Sequence, residues 1–465
     1  MPIIRHENAG NTVFPWRKTS RFYGMIKWDA AEGTPTLEPM RRFSTRLRRR
    51  ELIGAVVSAA LAGASGCRPR TAEEVSTGGK TEIGFWNGFT GPDGKTMDAL
   101  VRRFEHENPD VSVALQVIPW GTYYDKVTLS LAFGGAPDLF VIHAARISEF
   151  ADFGVLRPVQ DLVAGDKNPL QAADFADVPW NASFYKGAQY GLPLDVHPIG
   201  LYYNRDLFAQ AGIQKPPTTW DEFLAAAKTT THGDTWGFVY TNQRSNFVTF
   251  AAQFGGGVLT PDLQHSAMSE PATIEAAHQM RDLIYKHKVA PKPEGVDAWL
   301  AFRQGKAAMA MEGVYMKTSL EEQKGLNYAG APVPLFGTKP AAWGGTHNLC
   351  LPNDSDPRQK RDPKRVQAAW RLARFLSDNS LAWAEGGQVP ARKAVAASPE
   401  FAALPVQAQF AKQLPYVVYE PLTPRANALW PFADPAIEAV LIDLQTPEAA
   451  FTDATRRINQ VLERP

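Results

Sequence analysis

The stretch that most constrains this chain is residues 40–67, MRRFSTRLRRRELIGAVVSAALAGASGC. Arg41, Arg42, Arg46, Arg48, Arg49 and Arg50 precede an uncharged, weakly apolar run from Leu52 to Ala64, and Ala64, Ser65 and Gly66 then lead into Cys67. A basic head, a short apolar middle and small residues before a cut site make a secretory signal peptide, and the run is too short to span a bilayer. The charge distribution agrees. Residues 1–66 hold eleven Lys/Arg against five Asp/Glu, whereas residues 67–465 hold 38 against 43. The leader (40–66) is a removable address, and the acidic-leaning remainder is what must fold. Residues 1–39 lie upstream of a usable Met40 without periodic pattern, and are set aside as an unassigned extension or mis-called start.

Arg49-Arg50-Glu51-Leu52-Ile53 looks like a twin-arginine export signature, and Ala64-Ser65-Gly66-Cys67 resembles a bacterial lipobox with Ala64 where Leu is commoner. That resemblance implies lipidation of Cys67, a lipidated tether over residues 67–80, and a place outside the cytoplasm, anchored to the cell membrane or in the periplasm. The tether sequence is polar and rich in Thr, Ser and Gly, as a flexible spacer requires. Cys350 would then be the only remaining thiol. Other classes fall away by arithmetic. A balance of 49 basic to 48 acidic residues lacks the excess of a nucleic-acid binder, and two cysteines cannot build a four-thiolate zinc site.

From Thr81 short apolar strands alternate with amphipathic helices, the pattern of an α/β fold. Glu82 to Trp86 reads as a strand. Met97, Leu100, Val101 and Phe104 share one helix face, and Asn108-Pro109 stops that helix. Val111, Val113, Leu115 and Val117 alternate with polar partners as in a half-buried strand, whereas Leu139–Ile142 is continuously apolar and suits a strand covered on both sides. Thr219-Trp220-Asp221-Glu222 is a capping box opening a helix over 221–229. Further helices are expected over 272–287, 364–376 and 447–462. Gly94-Lys95-Thr96 lacks the first glycine of a P-loop, whose place is taken by Phe89. No nucleophile elbow or His-Glu-x-x-His motif is present, and His278 and His287 are nine residues apart, the wrong spacing for a metal pair.

Six segments in order now resemble one family, the sugar-binding group of extracellular solute-binding proteins of ABC importers, related to maltose- and multiple-sugar-binding lipoproteins. They are Phe85-Trp86-Asn87-Gly88 with its helix and Asn108-Pro109-Asp110; Ala132 to Leu139, with Gly134-Gly135-Ala136-Pro137-Asp138 at its centre; Tyr190-Gly191-Leu192-Pro193-Leu194-Asp195 with Leu201 to Phe208; Ala211-Gly212-Ile213; Pro217 to Phe223; and Phe302 with Gly305 to Met309. The resemblance implies a two-lobe, periplasmic-binding-protein-like α/β fold, each lobe a central sheet flanked by helices and hinged around a cleft. Lobe one is expected over 81–190 plus 318–380, and lobe two over 195–314 plus 385–465. Crossings are expected near 191–200, 312–318 and 385–395.

A sugar offers hydroxyls at its rim and apolar C–H faces, so binding calls for aromatic platforms beside planar hydrogen-bonding side chains. Trp86 and Asn87 end the first strand, and His143 and Arg146 follow the buried one, on the ligand side of an open α/β sheet. By resemblance Asp195 and His197 face the cleft from the crossover, with Trp236, Gln243 and Gln253 on loops of the second lobe. Glu312 and Tyr315 fall in the second crossing, Trp343, Gly344 and Gly345 in a glycine-rich ligand loop, Arg392 in the third crossing and Trp430 in a C-terminal loop. The expected function is carbohydrate capture and delivery to an ABC permease by a monomer anchored through Cys67, without catalysis, cofactor, metal or nucleic-acid partner. Alternatives are a non-sugar solute such as a glycerol-phosphate diester or a polyamine, and a secreted glycan-acting enzyme using Asp195, His197 or Glu312.

Overall fold

The computed structural model describes residues 79–293 and 297–464. The leader, Cys67 and most of the tether lie outside the described residues. No described helix is long and apolar enough to cross a membrane.

In chain order the elements that build the site are β1 (Thr81–Asn87), α1 (Pro92–Glu107), β2 (Val111–Val117), α2 (Trp120–Phe133), β3 (Leu139–His143) and α3 (Ala144–Asp152). They continue with β4 (Asp195–Asn204), α4 (Trp220–Thr230), β5 (Trp236–Tyr240), α5 (Gln243–Phe254), α6 (Pro271–Tyr285), β6 (Ala307–Gly313) and β7 (Tyr328–Ala331). The last are β8 (Ala342–Gly345), β9 (His347–Cys350), α7 (Pro363–Asp378), α8 (Ala426–Leu441) and α9 (Pro447–Leu462).

Two sheets result. The first runs β2-β1-β3-β9 and ends on the short strand Leu192–Pro193, with β1 parallel to β2 and β3, and β9 antiparallel to β3. Period-2 alternation explains why Leu139–Ile142 has no polar position. Leu139 and Val141 point into one core with Ile83, Phe85 and Trp370, while Phe140 and Ile142 point into another with Tyr123, Val127 and Phe150. Helices therefore cover both faces. The four residues expected on one helix face, Met97, Leu100, Val101 and Phe104, are all buried.

The second sheet is organised by β4, nine of whose ten residues are buried. Val196 pairs with Val389, His197 and Pro198 pair with Gly345 and Gly344, and Ile199 to Tyr203 pair with β6. β7 also pairs with β4, so Tyr328–Ala331 and Ala342–Gly345 both belong to the second sheet. The segment expected to return to the first lobe near 318 returns only after Gly345. Thr346 alone separates a residue paired with His197 from one paired with His143. Glu312-Gly313 leads instead into a 3-10 turn, Val314–Met316, and a short helix, Lys317–Glu321.

The capping box is half right. The Thr219 hydroxyl accepts the Glu222 amide at 3.3 Å, but the Glu222 carboxylate turns back to the Thr218 amide, at 2.8 Å, one residue earlier than the motif specifies.

Candidate functional site

A cavity of about 740 Å³ lies where the two sheets exchange strands, lined by residues of both. Three histidines line it. His143 ends β3, His347 opens β9 directly opposite, and His197 comes from β4. Beneath them the Asp195 carboxylate is fully buried and receives the Nδ1 atoms of His347 at 2.8 Å and His197 at 3.3 Å, the Trp383 indole N–H at 2.7 Å and the His347 amide at 3.1 Å. Burial would raise the Asp195 pKa, but the neighbouring His347 and the hydrogen bonds from His197 and His347 outweigh it and hold the group well below the usual carboxylate range. An ionised carboxylate only accepts, so both imidazoles present Nδ1–H to it. Burial, followed by His347, lowers the pKa of His197; burial, followed by His347 and His197, lowers that of His143 further. His143 and His197 are therefore neutral at physiological pH.

One side of the cavity is built from α2 and α3. Gly88 makes room for the Trp120 ring, since a Cβ there would fall 2.2 Å from the indole. Trp120 lies near-parallel to His347 at 5.8 Å. The Arg146 guanidinium lies 4.3 Å over the Tyr124 ring and pairs with Glu149 at 2.8 Å. Asn427 on α8 bonds the same carboxylate at 2.6 Å.

The other side comes from the second lobe. Asn242, Arg244, Tyr315, Trp343, Tyr419 and Glu420 line it. Arg244 bonds Asp434 at 3.0 Å, stands 3.8 Å from Glu420 and covers the Trp430 ring at 4.2 Å. Burial raises the pKa of Glu420, against Arg244, which lowers it. Also lining it is Gln388, wholly buried, whose amide nitrogen and oxygen both lack a partner among the described residues.

Of the residues expected to bind ligand, His143, Arg146, His197, Tyr315, Trp343, Gly344 and Gly345 line this cavity. Gln243 lines an adjoining one of about 480 Å³ that shares Asn242, Arg244, Trp343 and Glu420 with it. Asp195 and Glu312 lie behind the wall. The Glu312 carboxylate accepts the Gly313 amide at 2.8 Å and the Tyr315 hydroxyl at 3.2 Å.

The others stand elsewhere. Trp86 alternates with Phe85 and so faces α2, where Lys126 lies 4.8 Å over its ring. Asn87 is buried and caps a turn by accepting the Phe89 amide at 3.0 Å. Trp236 starts β5 and packs with Phe302 and Val239. Gln253, on α5 and not on a loop, clamps the backbone of Pro334, Phe336 and Ala341. Arg392 pairs with Asp378 at 3.4 Å and covers Phe175. Trp430 lies within α8, behind Arg244. His347 closes the glycine-rich stretch that begins at Trp343, whereas Trp120, Tyr124, Asn242, Arg244, Gln388, Tyr419 and Glu420 are not among the residues expected from the sequence. For Trp120 a signal existed, since it opens a helix after a strand, at the ligand end of the sheet.

Two sheet-and-helix lobes around a shared cleft define a solute-binding protein of the hinged type. The chain belongs to the bacterial extracellular solute-binding proteins, whose family model matches residues 89–382. It is 25% identical over 390 residues to a binding protein of Brucella abortus (strain 2308), covering 81% of this chain and 92% of that one. It is 25% identical over 342 residues to the arabinooligosaccharide-binding protein of Bacillus subtilis (strain 168), covering 69% and 76%. Among solved structures it is similar to the ABC substrate-binding protein of Listeria monocytogenes in complex with cycloalternan, with TM-score 0.73 and 25% identity over 83% of this chain and 100% of that one.

Proposed function

We propose that the protein captures a carbohydrate outside the cytoplasm and delivers it to an ABC permease by closing its lobes, held at the membrane through a lipid on Cys67 and working as a monomer. The observation that carries the reading is the pairing of aromatic faces with an unsatisfied buried amide. Trp120, Tyr124, Tyr315 and Trp343 surround a cavity also lined by Gln388, which has neither donor nor acceptor matched among the described residues. A buried amide left unpaired is rare in a native fold, and a sugar hydroxyl supplies both partners at once. The relatives that bind arabinooligosaccharide and cycloalternan support the same class.

The glycerol-phosphate alternative called for Arg146 and Arg392 to converge on a phosphate. Arg146 is paired with Glu149, Arg244 with Asp434, and Arg392 lies away from the cavity. A phosphodiester would meet cations whose charge is already matched, so the neutral solute is favoured. Thermal-shift measurements across mono- and oligosaccharides, a glycerophosphodiester and a polyamine test the proposal. Stabilisation by carbohydrates alone is expected. Stabilisation by the charged solutes alone would refute it, and release of product from glycosides would show the enzymatic alternative instead.

A further inference from the structure

We propose that His143, His197 and His347 bind a divalent transition-metal ion, of the zinc, cobalt or nickel class, on the floor of the cleft. One ring nitrogen from each lies within 4.8 Å of those of the other two, and all three side chains line the cavity. They come from three strands, β3, β4 and β9, and meet only because β4 and β9 cross between the sheets.

Two of the three rings are oriented for coordination. Asp195 accepts from Nδ1 of both His197 and His347, so in the neutral ring it is Nε2 that carries the lone pair. A carboxylate behind the ring of a ligating histidine is the usual arrangement at metal sites, where it fixes ring orientation and raises ligand basicity. The Tyr124 hydroxyl accepts the His143 amide at 3.0 Å and donates to Nδ1 at 2.6 Å, so His143 Nε2 carries the proton and must give it up when a metal binds. No Nε2 of the three has a hydrogen-bond partner among the described residues. Gly345 keeps a side chain off the His197 ring, since a Cβ there would sit 2.2 Å from Nε2.

Three imidazoles suit the borderline transition ions and not Mg²⁺ or Ca²⁺, which take oxygen donors. In a tetrahedral site with metal–nitrogen bonds of about 2.0–2.1 Å, the donor atoms are roughly 3.3 Å apart. The rings must therefore draw together on binding. His143 and His347 belong to the first sheet and His197 to the second, so the ion ties the crossing strands to one another. Its fourth position opens into the cavity, for water or a solute oxygen. The inference concerns the ion alone and holds whichever solute the cleft takes.

The full chain, stripped with a chelator and dialysed, is titrated with Co²⁺ in the absence of sugar and then challenged with Zn²⁺. The expected result is saturable uptake of a single equivalent, with the strong visible absorption of four-coordinate cobalt, displaced by Zn²⁺ and unaffected by excess Mg²⁺. His347→Gln and His143→Gln should weaken binding by about 100-fold or more, whereas His278→Gln, an exposed histidine paired with Glu448, should leave it unchanged. Asp195 is a positioning residue: Asp195→Asn should keep the four-coordinate spectrum but weaken affinity by about 10- to 100-fold. His143 is the least buried of the three, so His143→Gln remains a test if the His347 variant does not fold. Absence of saturable uptake, or uptake unchanged in folded His143→Gln, would overturn the site. Either result leaves carbohydrate binding to be judged separately by thermal shift.

Discussion

Two buried aspartates, one just before β3 and one opening β4, show how the scaffold differs from the site. Asp138, just before β3, is 1% exposed and is met by Arg361 at 3.0 Å, Arg365 at 2.6 Å and the Gly84 amide at 2.8 Å. Asp195 is 0% exposed and is met by two imidazoles, an indole and an amide. Burial is equal, but the partners are not. Full cationic charges lock Asp138 into a joint between β3 and α7, and nothing there is left to bind a solute. The two imidazoles around Asp195 keep their second nitrogens for the cavity. A buried carboxylate marks a site when its partners still have something to offer.

The comparison is broken most easily at Asp138. Asp138→Ala leaves the Arg361 guanidinium, 10% exposed, without its counter-charge and should cost about 3–5 kcal/mol of stability in a denaturant titration. Sugar affinity of the surviving fold should be unchanged; a loss of affinity matching the loss of stability would dissolve the distinction. Asp195→Asn removes the charge but keeps the shape. It should cost about 1–3 kcal/mol of stability, less than Asp138→Ala, yet reduce sugar affinity because His197 and His347 lose their fixed orientation.

The aromatic platforms come next. Trp343→Ala and Trp120→Ala should each lower carbohydrate affinity by about 1–3 kcal/mol, read by calorimetry. Trp86→Ala and Trp236→Ala should lower the melting temperature without that loss. The smallest effect is electrostatic. Burial raises the Glu312 carboxyl above its ordinary 4.5, against the Gly313 amide, which lowers it. A folded pKa above the unfolded one contributes stability that is complete below about 4.5 and is lost as pH rises through the folded value. Glu312→Gln should therefore gain on the wild type as pH rises through that window, in urea titrations from acid to neutral pH. An advantage constant with pH would contradict it.

Local pattern made the first lobe legible. The period of 3.6 at Met97–Phe104, the period of two at Val111–Val117 and the unbroken run at Leu139–Ile142 each match an element of the structure, although in the second only Val111 is buried and Val117, at the strand end, is exposed. Residues at strand ends, such as His143, could be read because a strand's carboxyl end is a local property. The rest was not local. Trp86 looked like a platform because it neighbours Asn87 and Gly88, but alternation beside the buried Phe85 turns it toward α2. Trp430 is expected in a loop, but packing of Leu429, Ala433, Ile437 and Val440 holds it within α8 despite Pro431 and Pro435 just after it. The histidine cluster joins positions 143, 197 and 347 through strand crossings that no spacing along the chain reveals.

Calorimetric titration of the full chain with the oligosaccharide that stabilises it most, beside Gln388→Leu, tests the central claim most directly. Gln388 is buried, borders the cleft and has no hydrogen-bond partner among the described residues, so its replacement should leave the melting temperature nearly unchanged. The account predicts saturable binding to the wild type and a loss of about 1–3 kcal/mol in the variant, from the unmatched sugar hydroxyl. Equal affinity in the two proteins, or no carbohydrate binding by the wild type while a charged solute binds, would contradict it.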